Sequence, residues 1–154
     1  MFCIHLKGVN EMALSVYLNF DGNCREAVEF YADVFNTELQ EIMTFDQMPP
    51  DENFTLPQEY NDMILHTHLD IRGTMVMLSD LPPEMGTLNK GNNVSLTVLS
   101  SDLAEIQRLY DRLKEGGSVE MELQETFWSK AYASVIDRFG VPWQLDLDTE
   151  ETGE

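Results

Sequence analysis

The sequence predicts an α+β fold, in which two βαβββ modules form a cup-shaped mixed sheet with helices outside. Three observations lead there. Residues 14–80 and 94–147 run through the same order of elements: an alternating strand, a capped amphipathic helix, then further strands, with the helices starting about eighty residues apart. In each copy the first strand is apolar only at every second residue, so one face needs a helix over it and the other stays open. The 154 residues, 43% hydrophobic and 24% charged, suit one globular domain with a core of its own.

The domain is expected over residues 13–148, as a module at 13–80 and a module at 92–148. Residues 1–12 read as an N-terminal extension, with Met12 a second plausible start, and residues 149–154 as an acidic tail. In the first module Leu14, Val16, Leu18 and Phe20 alternate with Ser15, Tyr17, Asn19 and Asp21, the period of a half-buried strand. Asp21-Gly22-Asn23 makes the turn. Asn23 and Glu26 stand at capping-box spacing ahead of a helix over residues 24–35, whose face of Ala27, Phe30, Tyr31 and Val34 would lie on the sheet. Residues 38–45 read as a second strand. Residues 46–62, with Pro49, Pro50 and Pro57, read as a long loop placed to cover a pocket mouth. Residues 64–71 and 74–80 form a hairpin around Arg72-Gly73.

Residues 81–91, with Pro82 and Pro83, link the halves. Val94, Leu96 and Val98 repeat the opening alternation. Ser101-Asp102 caps a helix with Leu103, Ile106, Leu109, Tyr110 and Leu113 on its apolar face, and Gly116-Gly117 ends it. Val119, Met121 and Leu123 alternate with Glu120, Glu122 and Gln124, which makes the two glutamates a solvated acidic face. Strands over 130–137 and 141–148 close the module. Trp143 shares a face with Leu145 and Leu147 and reads as core, while Met75, Met77 and Met85 read as adaptable packing.

Composition excludes several functions. The formal net charge of −19, from 28 acidic and 9 basic residues, repels phosphate backbones and anionic lipid, so no nucleic acid or membrane partner is expected. No apolar run approaches the roughly 18 residues that span a bilayer, and the N-terminus does not read as a signal peptide, so a cytoplasmic location is expected. The two cysteines, Cys3 and Cys24, form no C-x-x-C. Cys24 falls in a first helical turn, where a thiol pKa can drop, but a small buried side chain is the plainer reading. The chain has no G-x-S-x-G, H-E-x-x-H, P-loop or G-x-G-x-x-G, and Ser129-Lys130 has no histidine in a triad relation.

With the helices on the apolar faces, small polar groups are left inside the cup. These are Ser15, Tyr17 and Asn19 from one half and Asn93, Ser95 and Thr97 from the other. A polar-lined concave face is where a small ligand sits.

LNFDGNCREAVEFY (18–31), HTHLDI with MLSD (66–71 and 77–80), QETFW (124–128) and DRFGVPWQLD (137–146) resemble the PhnB-like branch of the glyoxalase/bleomycin-resistance, or vicinal oxygen chelate, superfamily. The resemblance runs from about residue 13 to 147. It implies paired βαβββ modules forming a cup-shaped half-barrel, a homodimer, and a small-molecule ligand. Metal-dependent members place His, Glu or Gln ligands on the cup strands. The matching positions here are Ser15 (or Val16 in the neighbouring alignment), Met77, Asn93 and Gln144. Serine, asparagine and methionine are poor ligands for a divalent ion, so the usual metal site and any other cofactor are expected to be missing.

His66 and His68, two apart on a strand, point to the same side and make a weaker metal candidate with Gln144. The expected pocket lining is Ser15, Tyr17, Asn19, His66, Met77, Asn93, Ser95, Trp128, Tyr132 and Gln144. The leading expectation is a binding or sequestration protein. The alternative is a metal-dependent lyase, dioxygenase or thiol transferase with a non-standard site. The branch also carries a demethylubiquinone methyltransferase label and a name that evokes phosphonates. The chain lacks a glycine-rich nucleotide turn, and only Arg72, Lys90 and Lys130 lie near strands to meet a phosphonate.

Overall fold

Alternating burial sets the faces of both sheets, in a computed structural model that describes residues 14–148. The extension at 1–12, with Cys3, and the tail at 149–154 lie outside the described residues. Strand β1 (Val16–Phe20) keeps the predicted alternation, with Tyr17 and Asn19 exposed and Phe20 buried. Helix α1 (Cys24–Val34) follows, then β2 (Met43–Thr44), β3 (Ile64–Ile71) and β4 (Thr74–Asp80). The second module repeats the order as β5 (Leu96–Ser100), α2 (Leu103–Leu113), β6 (Ser118–Gln124), β7 (Tyr132–Ile136) and β8 (Pro142–Leu147).

Each module makes a four-stranded sheet, in the order β1-β4-β3-β2 and β5-β8-β7-β6. The first strand of each module pairs parallel with the last, and the other pairings are antiparallel, so both sheets are mixed. Arg72 and Gly73 carry positive φ angles of 52° and 84° in the two-residue β3–β4 turn, the backbone that a tight hairpin needs. The Asp70 side chain accepts from the Gly73 N–H and holds that turn.

Several expectations change in detail. The strand at 38–45 shrinks to β2, because residues 45–47 wind into a 3-10 turn that buries Phe45, with the Gln47 side chain accepting from the Thr44 N–H. The loop at 46–62 is pinched at its neck by Phe45 N–H to Met63 O and Asp46 N–H to Asn61 O. Residues 48–54 line a cavity of their own. Leu14 precedes β1 and is fully exposed, and Leu103 and Met85 are about half exposed, so none of the three joins the core.

The two helices start differently. Asp102 caps α2 as read, its carboxyl accepting from the N–H groups of Ala104 and Glu105. The Asn23 side chain makes no such bond at α1. A residue from the far end of the module does the work: Asp80, 5% exposed at the end of β4, accepts from the N–H groups of Gly22 and Cys24 with one oxygen and of Ile64 with the other. One carboxyl thereby ties the start of α1 to the starts and ends of the neighbouring strands. Burial first, and then the Asp80 charge, push the Cys24 thiol up.

One apolar cluster runs through both modules, from Phe20, Val28 and Tyr31 to Ile106, Leu109, Val135 and Trp143. At its centre is Asp137, 3% exposed. One oxygen accepts from the Tyr31 hydroxyl on α1 and from the Trp143 indole N–H on β8 at 2.8 Å. The other accepts from the N–H groups of Phe139 and Val141. The Phe139 ring stacks edge-on against Phe20 and Tyr31, so the turn carried by Asp137 is wedged into the first module. No helix among the described residues is long and apolar enough to cross a membrane.

Replacing Asp137 by alanine strands several buried donors and should cost about 3 kcal/mol or more in urea denaturation, whereas Tyr31→Phe, which removes one donor, should cost about 1 kcal/mol. Equal effects would show that Asp137 is not the shared acceptor. In a Cys3→Ser variant, Cys24 should react with a disulfide reagent only as fast as the protein unfolds; immediate reaction in native buffer would contradict the buried, proton-holding thiol.

Candidate functional site

The pleat puts alternate residues on the open side of each sheet, and the register says which ones meet. In the first module Tyr17 pairs with Met77 and Met77 with His68, so the three form a row across β1, β4 and β3. Asn19 pairs with Ser79, whose hydroxyl donates to the Asn19 side-chain oxygen at 3.4 Å. His66 lies one step along β3, its ring 6.1 Å from that of Tyr17 and 6.4 Å from that of His68. Burial and the adjacent His68 hold the His66 imidazole below the usual histidine range.

The second module's open face is more tightly organised. Gln144 pairs with Thr97 on one side and Ser134 on the other. Its amide nitrogen donates to the Ser95 hydroxyl at 2.6 Å, and its oxygen accepts from the Tyr132 hydroxyl at 2.9 Å. Burial, followed by the charges of Asp146 and Glu120, pushes the Tyr132 phenol up, which keeps its proton in place to donate. The Trp128 ring meets Tyr132 edge-to-face at 5.3 Å, and Phe127 meets Trp128 at 4.7 Å. Beside this group lies a cavity of about 230 Å3, lined among others by Asn92, Glu120 and Ser134.

Glu120 and Glu122 do not share a face. The β6–β7 register slips between Val119 and Met121 and again between Met121 and Gln124. A bulge places an extra residue in the strand and breaks the alternation that the sequence suggests. Glu120 comes to the open-face cavity, while Glu122 accepts from the Tyr110 hydroxyl of α2 on the helix side.

Of the predicted lining residues, Ser95, Tyr132 and Gln144 form one hydrogen-bonded group with Trp128 beside it. Tyr17, Asn19, His66 and Met77 lie together on the first module's face. The two groups border different cavities: Tyr17 and Asn19 flank one of about 460 Å3 that runs along β1, the linker residues 88–91 and the start of β8. Ser15 precedes β1, where its hydroxyl donates to the Met75 carbonyl. Asn93 is exposed ahead of β5, and its neighbour Asn92 lines the second cavity in its place. Sequence reading missed Glu120, Ser134 and Asn92. Ser134 was within reach, since it alternates with Tyr132; Glu120 was not, since nothing in the sequence marks the bulge.

The superfamily's divalent ion finds no matching donor set here. Both ends of the Gln144 amide are engaged, the Ser15 hydroxyl is turned to a backbone carbonyl, and Asn93 is off the strand. Among the described residues no three His, Cys, Asp or Glu side chains gather as a metal site requires.

Paired βαβββ modules with polar open faces define a protein of the glyoxalase/bleomycin-resistance fold, in the vicinal oxygen chelate superfamily. The chain belongs to the PhnB-like family: a family model described as 3-demethylubiquinone-9 3-methyltransferase matches residues 12–146. It is 34% identical over 142 residues to protein YjdN of Escherichia coli (strain K12), across 88% of this chain and 95% of that one. Among solved structures it is similar to protein PA1353 of Pseudomonas aeruginosa, at 32% identity and a TM-score of 0.77, over 88% of this chain and 97% of that chain. It is also similar to the PhnB protein of Bacillus cereus, at 25% identity and a TM-score of 0.72, over 89% and 100% of the two chains.

The lowered His66 value has a definite sign. The unfolded chain takes up the proton more readily, so the stability gained by keeping His66 neutral is complete above the ordinary value of about 6.5 and is lost as pH falls from there through the folded value. His66→Gln should therefore flatten the loss of stability below neutral pH, and an imidazole titration followed by NMR should give a midpoint for His66 under the ordinary one. A midpoint above it would show that His66 gains a proton partner in the fold.

Proposed function

We propose that this PhnB-like protein binds a small organic molecule on the polar faces of its sheets, using side chains and no resident divalent ion, as a binding or sequestration module of the cytoplasm. The observation that supports this most directly is the Ser95–Gln144–Tyr132 chain. It is a preorganised polar wall, fixed by its own hydrogen bonds, beside a cavity and an aromatic pair. Such a wall offers fixed donors and acceptors to a ligand without first having to be ordered. Tyr17, Asn19 and His66 form the corresponding polar face on the first module.

The protein acts as a homodimer on this reading. β1 and β5 each end a sheet and leave one edge unpaired, and an edge of this kind is a template for another chain. A second copy would cover these edges and bring polar faces of different modules closer together.

The test combines three measurements on purified protein. Elemental analysis should find divalent metal far below one per chain. Light scattering should give the mass of two chains. An NMR screen of a broad small-molecule library should yield binders that shift the Gln144 side-chain amide. Stoichiometric metal would overturn the metal-free reading, and a library that leaves Gln144 unmoved would overturn the binding reading.

A further inference from the structure

The chemistry around the second module's cavity narrows what it accepts, and this rests on the reading that its open face binds a ligand. Glu120 is the one formally charged residue lining the cavity, and no lysine, arginine or histidine lines it. The Glu120 side chain enters none of the hydrogen bonds or ion pairs found among the described residues. Asp146, paired with Tyr132 across the same face, is likewise without a cation.

The neutral groups carry no charge preference of their own. Gln144 gives one of its two amide N–H donors to Ser95, and Tyr132 gives its proton to Gln144. The second Gln144 N–H, the Ser95 and Ser134 hydroxyls and the Asn92 amide can serve a neutral ligand, and the Glu120 carboxylate alone sets the sign of the charge. Next to Tyr132, at the border of the cavity, stands Trp128, 52% exposed, its ring edge-on to that of Tyr132 at 5.3 Å, with Phe127, 97% exposed, at right angles to it. Exposed aromatic rings beside an unpaired carboxylate suit an organic cation, drawn both by the charge and by the ring faces. A phosphonate or carboxylate would meet the Glu120 charge here and no counter-charge. The cavity, at about 230 Å3, falls short of the ~300 Å3 at which pockets for whole drug-sized ligands begin, so it has room for a headgroup.

We infer that this cavity takes the cationic end of an organic amine, from a protonated amine to a quaternary ammonium, with Glu120 as counter-charge and Trp128 as aromatic wall. Three probes of similar size decide it: benzyltrimethylammonium, benzyl alcohol and benzoate, each followed by tryptophan fluorescence and by the Gln144 amide resonance. The cation should bind about tenfold more tightly than the alcohol, and more weakly as salt is added; benzoate should not bind. Glu120→Gln should bring the cation to the level of the alcohol and leave the alcohol unchanged, while Trp128→Leu should weaken both. Glu120 is exposed, and an unchanged urea midpoint will confirm that the variant folds.

An affinity for the cation unmoved by Glu120→Gln, or matched by benzoate, would overturn the inference. If the alcohol or benzoate moves Gln144 and the cation does not, the charge preference fails while ligand binding stands. If no probe moves Gln144, the preference for a cation fails, and the library screen above decides the wider reading separately.

Discussion

A single buried carboxyl group at Asp137 is the constraint on which the arrangement of the two modules depends. Its oxygens accept from a tyrosine on α1, an indole on β8 and two backbone N–H groups of its own turn. A buried acceptor with this many donors fixes geometry in a way that apolar contact cannot, because each donor loses its partner if the modules slide. The aromatic rings around it, Phe20, Phe139, Tyr31 and Trp143, supply the burial, and Asp137 supplies the register. Surface ion pairs between the helices, such as Arg112 with Asp33, lie at the solvent edge and add little to this.

The two modules repeat an architecture without repeating the means of holding it. At α2 the cap is local, since Asp102 serves the N–H groups of the residues that follow it. At α1 the cap is remote, since Asp80 reaches from the far end of its module to do the same task and to hold β3 as well. Both satisfy the exposed donors of a helix start. The remote solution also closes the first module on itself, which accounts for the burial of an acidic residue at the end of β4.

This difference marks what the sequence could disclose. The period of two in β1 and β5 and the hairpin at Arg72-Gly73 are local patterns, and the fold class, the sheet faces and the Asp102 cap were legible from them. Asp80 and Asp137 were not legible as anchors, because their partners lie far along the chain or were read only as core. Within the candidate site, Ser95 and Tyr132 followed from alternation, and Gln144 from the family resemblance. Asn93 missed by one residue, because β5 starts later than the apolar pattern suggests. Glu120 was hidden for a different reason: a register slip leaves no mark in residue types.

That slip in β6 has a wider consequence for a duplicated protein. A repeat starts with two equal faces, and changing one face by substitution alone puts the packing beneath it at risk. Two register slips in an outer strand shift side chains between faces locally, so that Glu120 comes to the open-face cavity and Glu122 anchors a helix tyrosine. The outer strand of the twin half is only two residues long and slips once, between Met43 and Thr44, so it carries no comparable pair of side chains to divide between faces. Symmetry of descent and asymmetry of use are thereby reconciled in the strand least constrained by its neighbours.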